Sequence, residues 1–433
     1  MPLVSICMPT LNARRFLEPR MDSILAQTLT DWELIVCDSV SDDGTWEYMQ
    51  RFRDDPRVRL FQIPREGLYA GWNECLRRAT GQYIYVATAD DTCQPELLET
   101  MVGALEDEER DEGGNLKPEG SPWSIVQSPW LWQKRPVEEF NRRKNEGGER
   151  EEERDEGGNL KPEGGGSGDT VPPSQGAERR TKNEERGTTN DTLDPLPLDL
   201  AVCNFDFIDE QGAVMADEPQ PRPSAVFGDR LLKPHRRPGR LDFLVSIILG
   251  VSWTTYTALL FRRSLLDRVG LFETDCGACA DRLWAFKALL HSDVASVPGR
   301  LATWRCHPHQ GTRQGGDSGE AKRLLERTEQ TLIEYEHRLP AHWKRDPDCR
   351  NKLLWAARRH YYDRFRLSRT SLRKRPGQFL AGCLRAARDE PRYLTRRLLT
   401  GLAWEPDHAL TETDYCKKLI EEWEEGREGG REG

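Results

Sequence analysis

Four short runs of β-branched, aliphatic and aromatic residues recur between residues 4 and 91, and each of the first three is followed by a stretch with turn or helical character. That order leaves few folds open. Strands alternating with helices at this spacing build a parallel α/β sheet with right-handed crossovers. Val4-Ser5-Ile6-Cys7-Met8-Pro9-Thr10 predicts the first strand, and Phe16, Leu17, Met21, Ile24 and Leu25 make one apolar stripe over residues 13–28. Trp32 to Asp38 is the second strand, Val58 to Phe61 a short third, and Gly67 to Ala79 a helix closed by Thr80-Gly81. The fourth strand, Tyr83-Ile84-Tyr85-Val86-Ala87-Thr88-Ala89, stops on Asp90-Asp91.

Ligands of such sheets bind beyond the carboxyl ends of the strands. Here those ends carry Pro9-Thr10, Asp38 and Asp90-Asp91, all on one rim. No G-x-G-x-x-G follows the first strand and no Walker A motif occurs. Phosphate neutralisation then falls on a metal ion, which suits two carboxylates at the fourth strand. Adjacent acids are costly to ionise together without positive charge between them and a substrate. The bland alternative is that the pair caps the helix beginning near Pro95.

In order and spacing, Val4 to Asn12, Glu33 to Asp38 with Ser41-Asp42-Asp43-Gly44-Thr45, Gly67 to Asn73, and Gly81 to Asp91 resemble the nucleotide-binding half of a family 2 glycosyltransferase. The resemblance implies the GT-A (nucleotide-diphospho-sugar transferase) fold, of α/β class with a mostly parallel central sheet. It implies a polysaccharide-biosynthesis enzyme of hexosyltransferase type. Such an enzyme moves a sugar with inversion from a nucleoside-diphosphate sugar to a hydroxyl of a glycan, lipid-linked or protein acceptor, using Mn2+ or Mg2+. Transferred to matching positions, Pro9, Thr10 and Asn12 line the donor, and Asp38 accepts a hydrogen bond from the base. Asp91 is the metal ligand, Asp90 serves the ribose or a bound water, and Asn73 and Arg65 are candidates for the diphosphate or sugar. This chain departs from the pattern at Thr88, where the family often has an acid.

Residues 1–317 read as the catalytic domain, divided into a nucleotide-sugar half (1–105), an insertion (106–194) and an acceptor half (195–317). The insertion holds 23 acids and 14 bases, a balance of −9 that nearly accounts for the net charge of −10. Within it the string at 108–120 recurs unchanged at 152–164, and Gly164-Gly165-Gly166-Ser167-Gly168 follows. A repeat so poor in apolar residues cannot stack a core and is expected to be a disordered surface insertion. With the rest of the chain near neutral, nothing points to nucleic acid.

Leu198 to Ile208, the turn at Asp209-Glu210-Gln211-Gly212, and Ala213-Val214-Met215 predict a hairpin. Phe243 to Val251 predicts a buried helix, too short to span a bilayer. Trp253 to Phe261 predicts a strand, and Arg262 to Val269 a short helix. Asp281 opens the next helix, where an Asp is by default a cap contributing about 1 kcal/mol. The resemblance gives Asp281 a second role, the general base. Val294–Val297 and Leu301–Arg305 predict two strands that deliver Cys306-His307-Pro308-His309 to a loop. The resemblance suggests that His307 closes over the metal and diphosphate. Cys276 and Cys279 with Cys306 and a histidine offer a rival zinc reading.

Residues 318–433 are expected to be a helical extension. Arg373, Lys374, Arg375, Arg385, Arg388, Arg392, Arg396 and Arg397 form a basic run with apolar residues between. It reads either as solvated helix faces or as a surface touching anionic lipid. The 11 scattered cysteines and a start that runs straight into a strand favour a cytoplasmic location, with peripheral contact at the cytoplasmic membrane through those helices. Two other functions remain open: a nucleotidyltransferase, though Pro9-Thr10-Leu11-Asn12 is not its Gly-rich loop, and an inactive sugar-nucleotide-binding protein.

Overall fold

The structure is a computed structural model that describes residues 1–106, 195–215, 226–250, 255–277, 280–308, 318–339, 351–358, 369–389, 391, 394–395 and 412–429. The expected insertion and its repeat lie outside the described residues, apart from Glu106.

The first half contains β1 (Val4–Thr10), α1 (Arg14–Leu25), β2 (Trp32–Asp38), α2 (Thr45–Gln50), β3 (Val58–Gln62), α3 (Leu68–Arg78), β4 (Tyr83–Val86) and α4 (Leu97–Glu106). The second half adds β5 (Leu198–Ile208), β6 (His235–Arg237), α5 (Gly239–Leu249), β7 (Leu259–Arg262), α6 (Leu265–Val269), α7 (Ala280–Leu289) and β8 (Asp293–Arg305). The eight strands form one sheet in the order β3-β2-β1-β4-β7-β5-β8-β6. β1 pairs in parallel with β2 and β4, β2 with β3, and β5 with β8. β7 lies antiparallel between β4 and β5, and β6 is an antiparallel edge on β8. The sheet is therefore mostly parallel, as expected.

Every residue of β1, β2 and β4 is buried. Near-continuous apolar strands of this kind need helices on both faces. One face packs on α3, α5 and α7 through Trp72, Leu76, Phe243, Ile247, Leu283 and Trp284. The other packs on α1 and α4 through Leu17, Met21, Leu97 and Met101. Gly71 lets α3 close on the end of β1: a Cβ there would stand 2.9 Å from Pro9 Cβ.

Three sequence expectations change. The fourth strand ends at Val86 instead of running to the acid pair. Of Trp253 to Phe261, only Leu259–Phe261 are strand; Tyr256–Ala258 form a 3-10 turn opened by Thr255, whose hydroxyl accepts from Thr257 N, and residues 251–254 lie outside the described set. The two strands expected over 294–305 are one long strand, with an irregular register against β5 where Pro298-Gly299 falls. The hairpin after β5 is present: Met215 N donates to Phe207 O at 2.8 Å.

The C-terminal region is helical, with α8 (Ser318–Glu334), helical residues 351–358, α9 (Arg369–Lys374), α10 (Pro376–Asp389) and α11 (Glu412–Gly429). Among the described residues, no helix is long and apolar enough to cross a membrane.

Candidate active site

The loops after β1 and β2 are tied to each other at the rim. Thr10 Oγ1 donates to Asp38 Oδ1 at 2.9 Å, and Ser41 gives Asp38 both its hydroxyl (2.6 Å) and its N–H (2.9 Å). Asn12, at φ 50, exchanges two 3.0 Å hydrogen bonds with Asp42. Arg65 donates to the Ser39 and Val40 carbonyls and pairs with Asp42. These bonds hold Val40 at φ 52, a left-handed conformation costly for a β-branched residue. Asp38 has no exposed surface. In this geometry the carboxylate expected to meet the nucleotide base also anchors the loop after β2. Pro9 and Thr10 are buried beside it as the floor of the same corner.

The acid pair after β4 is split by its surroundings. Asp91 is 2% exposed. Its Oδ2 accepts from Thr88 Oγ1 (2.6 Å) and Thr257 Oγ1 (2.7 Å), and its Oδ1 from Arg305 N (2.7 Å). Burial first, and then the neighbouring Asp90 charge, push its pKa up to about 6. Both oxygens of Asp91, expected as the metal ligand, accept from protein donors in this geometry. Asp90 keeps 26% of its side chain exposed and faces His307, whose Nε2 lies 3.0 Å from Asp90 Oδ2. Asp90 is the acid a cation can reach.

His307, expected to close over the metal, stands between Asp90 and Arg15. Its Nδ1 is 3.3 Å from the Arg15 guanidinium, which can only donate. The tautomer consistent with that neighbour has an acceptor at Nδ1 and the proton on Nε2, directed at Asp90. A metal-bound histidine has the opposite demand, an N–H on its far nitrogen facing an acceptor. With that tautomer, His307 Nε2 donates to Asp90.

Several residues of this corner carried no signal of their own in the sequence. Arg305 donates its N–H to Asp91, and its guanidinium donates to the carbonyls of Asp90, Asp209 and Glu210. Phe16 lies under His307 (centroids 4.8 Å apart) with the Arg15 and Arg305 guanidinium groups over its ring. Arg15 pairs with Glu210. Arg20, fully buried on α1, holds its guanidinium 3.5 Å from Tyr85 OH, and its charge acts on Asp91.

Asp281 reaches the same rim from the other face of the sheet. Tyr256 OH donates to the Asp281 carbonyl at 2.6 Å, one residue before the Thr257 that holds Asp91. Tyr69 donates to its carboxylate, and Tyr69, Trp72, Tyr256 and Phe272 pack together between Asp281 and the end of β4. Burial raises the Asp281 pKa, against the opposing pull of Arg282 and Tyr69. The carboxylate is thereby a stronger base than a free one. Asn73, a candidate for the donor, is 3% exposed, with its amide bonded to Phe272 N (2.9 Å) and Phe272 O (2.8 Å). It fixes the turn before α7 to α3.

A chain with this corner can be set beside known proteins. Residues 5–150 match the family model described as glycosyl transferase family 2. Over this region, about a third of its length, the chain is similar to glycosyl transferase family 2. It is 40% identical over 110 residues to the putative glycosyltransferase EpsE of Bacillus subtilis, covering 24% of this chain and 39% of EpsE. It is 34% identical over 103 residues to the putative teichuronic acid biosynthesis glycosyltransferase TuaG of the same organism, covering 23% of this chain and 41% of TuaG. The chain thus matches about two fifths of the length of each. A solved structure of S. aureus TarS, residues 1–349, aligns at a TM-score of 0.47 and 13% identity over 92% of each chain.

The matched residues span the Thr10–Asp38 corner and the acid pair. Asp281, Thr257, Arg305 and His307 lie beyond the matched residues. Among the described residues no group of three or more His, Cys, Asp or Glu side chains is set to hold a metal. The zinc reading falls partly outside them, because Cys279 and His309 are not described. Of the acid pair, Asp90 is the more exposed carboxylate. One carboxylate, with the remaining positions left to phosphate oxygens and water, is a common way for Mg2+ or Mn2+ to be held.

Proposed function

We propose that the protein transfers a sugar from a nucleoside-diphosphate sugar to an acceptor hydroxyl with inversion. The observation that carries this is the meeting on one rim of an accessible carboxylate, Asp90, and a half-buried, basic carboxylate, Asp281, beside a corner framed by Thr10, Asp38 and Asn12. The nucleoside lies against that corner, with Arg65 and Asp42 at its outer edge. Asp90, oriented by His307, holds a Mn2+ or Mg2+ ion. When bound, the ion neutralises the diphosphate and stabilises it as a leaving group.

Asp281 accepts the proton of the attacking hydroxyl at its carboxylate. Burial keeps that carboxylate basic, and Tyr69 fixes its direction. The Tyr69, Trp72, Tyr256 and Phe272 cluster keeps water from the side of the site where the acceptor enters. Arg15 and Arg305 add positive charge beside Asp90, which favours an anionic donor. The donor sugar, the base and the acceptor class (glycan, lipid-linked or protein) are specificities to be read by assay.

The test is a screen of UDP-, GDP- and dTDP-sugars for release of nucleoside diphosphate with Mn2+ present. Release from one donor, lost on chelation and accelerated by an acceptor, is expected. A nucleotidyltransferase would instead release pyrophosphate from a nucleoside triphosphate, and an inactive binding protein would release nothing.

A further inference from the structure

The C-terminal helices carry a surface that neither the fold nor the proposed reaction uses. Residues 369–388 contain six basic residues, Arg369, Arg373, Lys374, Arg375, Arg385 and Arg388, and no acid. The whole chain carries −10, so this stretch stands against the sign of the molecule. α10 is docked by one face only: Phe379, Cys383 and Ala386 pack with Leu325 of α8, Trp355 and Leu394. One residue further round, Leu380 and Leu384 sit four apart on the adjoining face at 60% and 66% exposure. Arg388 continues that stripe by another turn and is exposed. Leu372, at the end of α9, is 48% exposed and is followed by exposed Arg373, Lys374 and Arg375.

Leucines this exposed on a helix face add nothing to the apolar packing of the described residues. Leucines interleaved with arginines and lysine, without acids, have the composition of a helix that lies in a lipid interface. The apolar side chains enter the acyl boundary while the basic ones sit at the headgroups.

We propose that α9 and α10 dock the protein onto the surface of an anionic lipid bilayer, with Leu372, Leu380 and Leu384 inserted and Arg373, Lys374, Arg375 and Arg388 at the headgroups. Charge complementarity selects this occupant. A neutral bilayer offers no partner for the basic cluster, and the same cluster on a second copy would repel it.

This inference does not depend on the sugar-transfer reading, since its readout is binding to lipid without donor. The full chain is mixed with vesicles of phosphatidylcholine, or of phosphatidylcholine with 30% phosphatidylglycerol, and floated on a density gradient. Flotation with the anionic vesicles only, declining as salt rises, is the expected result. Arg373→Glu/Lys374→Glu/Arg375→Glu should weaken partitioning by on the order of 100-fold, since each basic residue near an anionic surface is worth about a fivefold change. Leu380→Ser/Leu384→Ser should weaken it at least tenfold while keeping the thermal midpoint, because both side chains are exposed. Equal binding to both vesicle types, or anionic binding unchanged in both variants, overturns the proposal. So does a concentration-dependent dimer that the leucine variant abolishes in a protein that does not float.

Discussion

At the scale of residues, the acid pair after β4 divides its labour. Asp91 is sealed by three donors, and burial holds its pKa near 6 instead of about 4. A carboxyl whose folded pKa lies above its unfolded value contributes stability below the unfolded pKa and loses it as pH rises through the folded one. Asp91 therefore costs the metal-free fold stability between about pH 4 and pH 6, by on the order of 1–3 kcal/mol. Asp91→Asn keeps the acceptor for Arg305 N, and the Thr88 and Thr257 hydroxyls can turn to accept from the new amide. The stability gap between this variant and the parent, followed by thermal unfolding in chelator, should move in the variant's favour from pH 4 to pH 7; a gap that does not change with pH would count against this reading. Asp90→Asn should do the reverse: little change in stability, but at least tenfold weaker Mn2+-dependent binding of nucleoside diphosphate, read by calorimetry. If Asp91→Asn abolished that binding and Asp90→Asn spared it, the two roles would have to be exchanged.

At the scale of elements, the two ends of the sheet serve different ends. At the amino end, Glu33 on β2 accepts from Ser5 of β1 (2.7 Å), from Thr80 N (2.7 Å) and from Arg59 of β3 (2.7 Å). Burial raises its pKa, but these hydrogen bonds outweigh it and hold the carboxyl below its usual value. That contribution is present above about pH 4.5 and is lost as pH falls through the lowered pKa. Glu33→Ala leaves a buried hydroxyl and an N–H without their acceptor. About 3 kcal/mol of stability should be lost in denaturant unfolding at pH 7, and less at pH 3; an equal loss at both pH values would sink the linkage. At the carboxyl end, Asn73 ties α3 to the turn before α7. Asn73→Ala should loosen the helix start that carries Asp281 and lower turnover more than donor affinity, in steady-state kinetics set beside binding. A loss confined to donor affinity would restore Asn73 to the donor site.

At the scale of the whole molecule, the alternation of strand and helix already implied the parallel half-sheet, its rim and the hairpin after β5, because those follow from local pattern and chain connectivity. The division of the acid pair was not legible. It depends on Thr257 and on the backbone N–H of Arg305, which stand 166 and 214 residues away in the chain. The fate of Asn73 was hidden for the same reason, since Phe272 lies 199 residues on. The sharp turn at Tyr256–Ala258 replaced an expected strand because Thr255 caps it, a local bond that apolar patterning does not reveal. β7 inserted antiparallel between β4 and β5 is what brings Thr257 onto the acid pair, and so joins the nucleotide side of the rim to the base side.

The most direct test of that joined rim is to measure donor binding and turnover on one variant, Asp281→Asn, once the donor has been found by screening. Binding of the nucleotide sugar with Mn2+ is expected to stay within about twofold of the parent, while transfer to acceptor falls by roughly 100- to 10,000-fold, the usual contribution of a positioned base. Transfer at the parent's rate by a folded Asp281→Asn protein would contradict it.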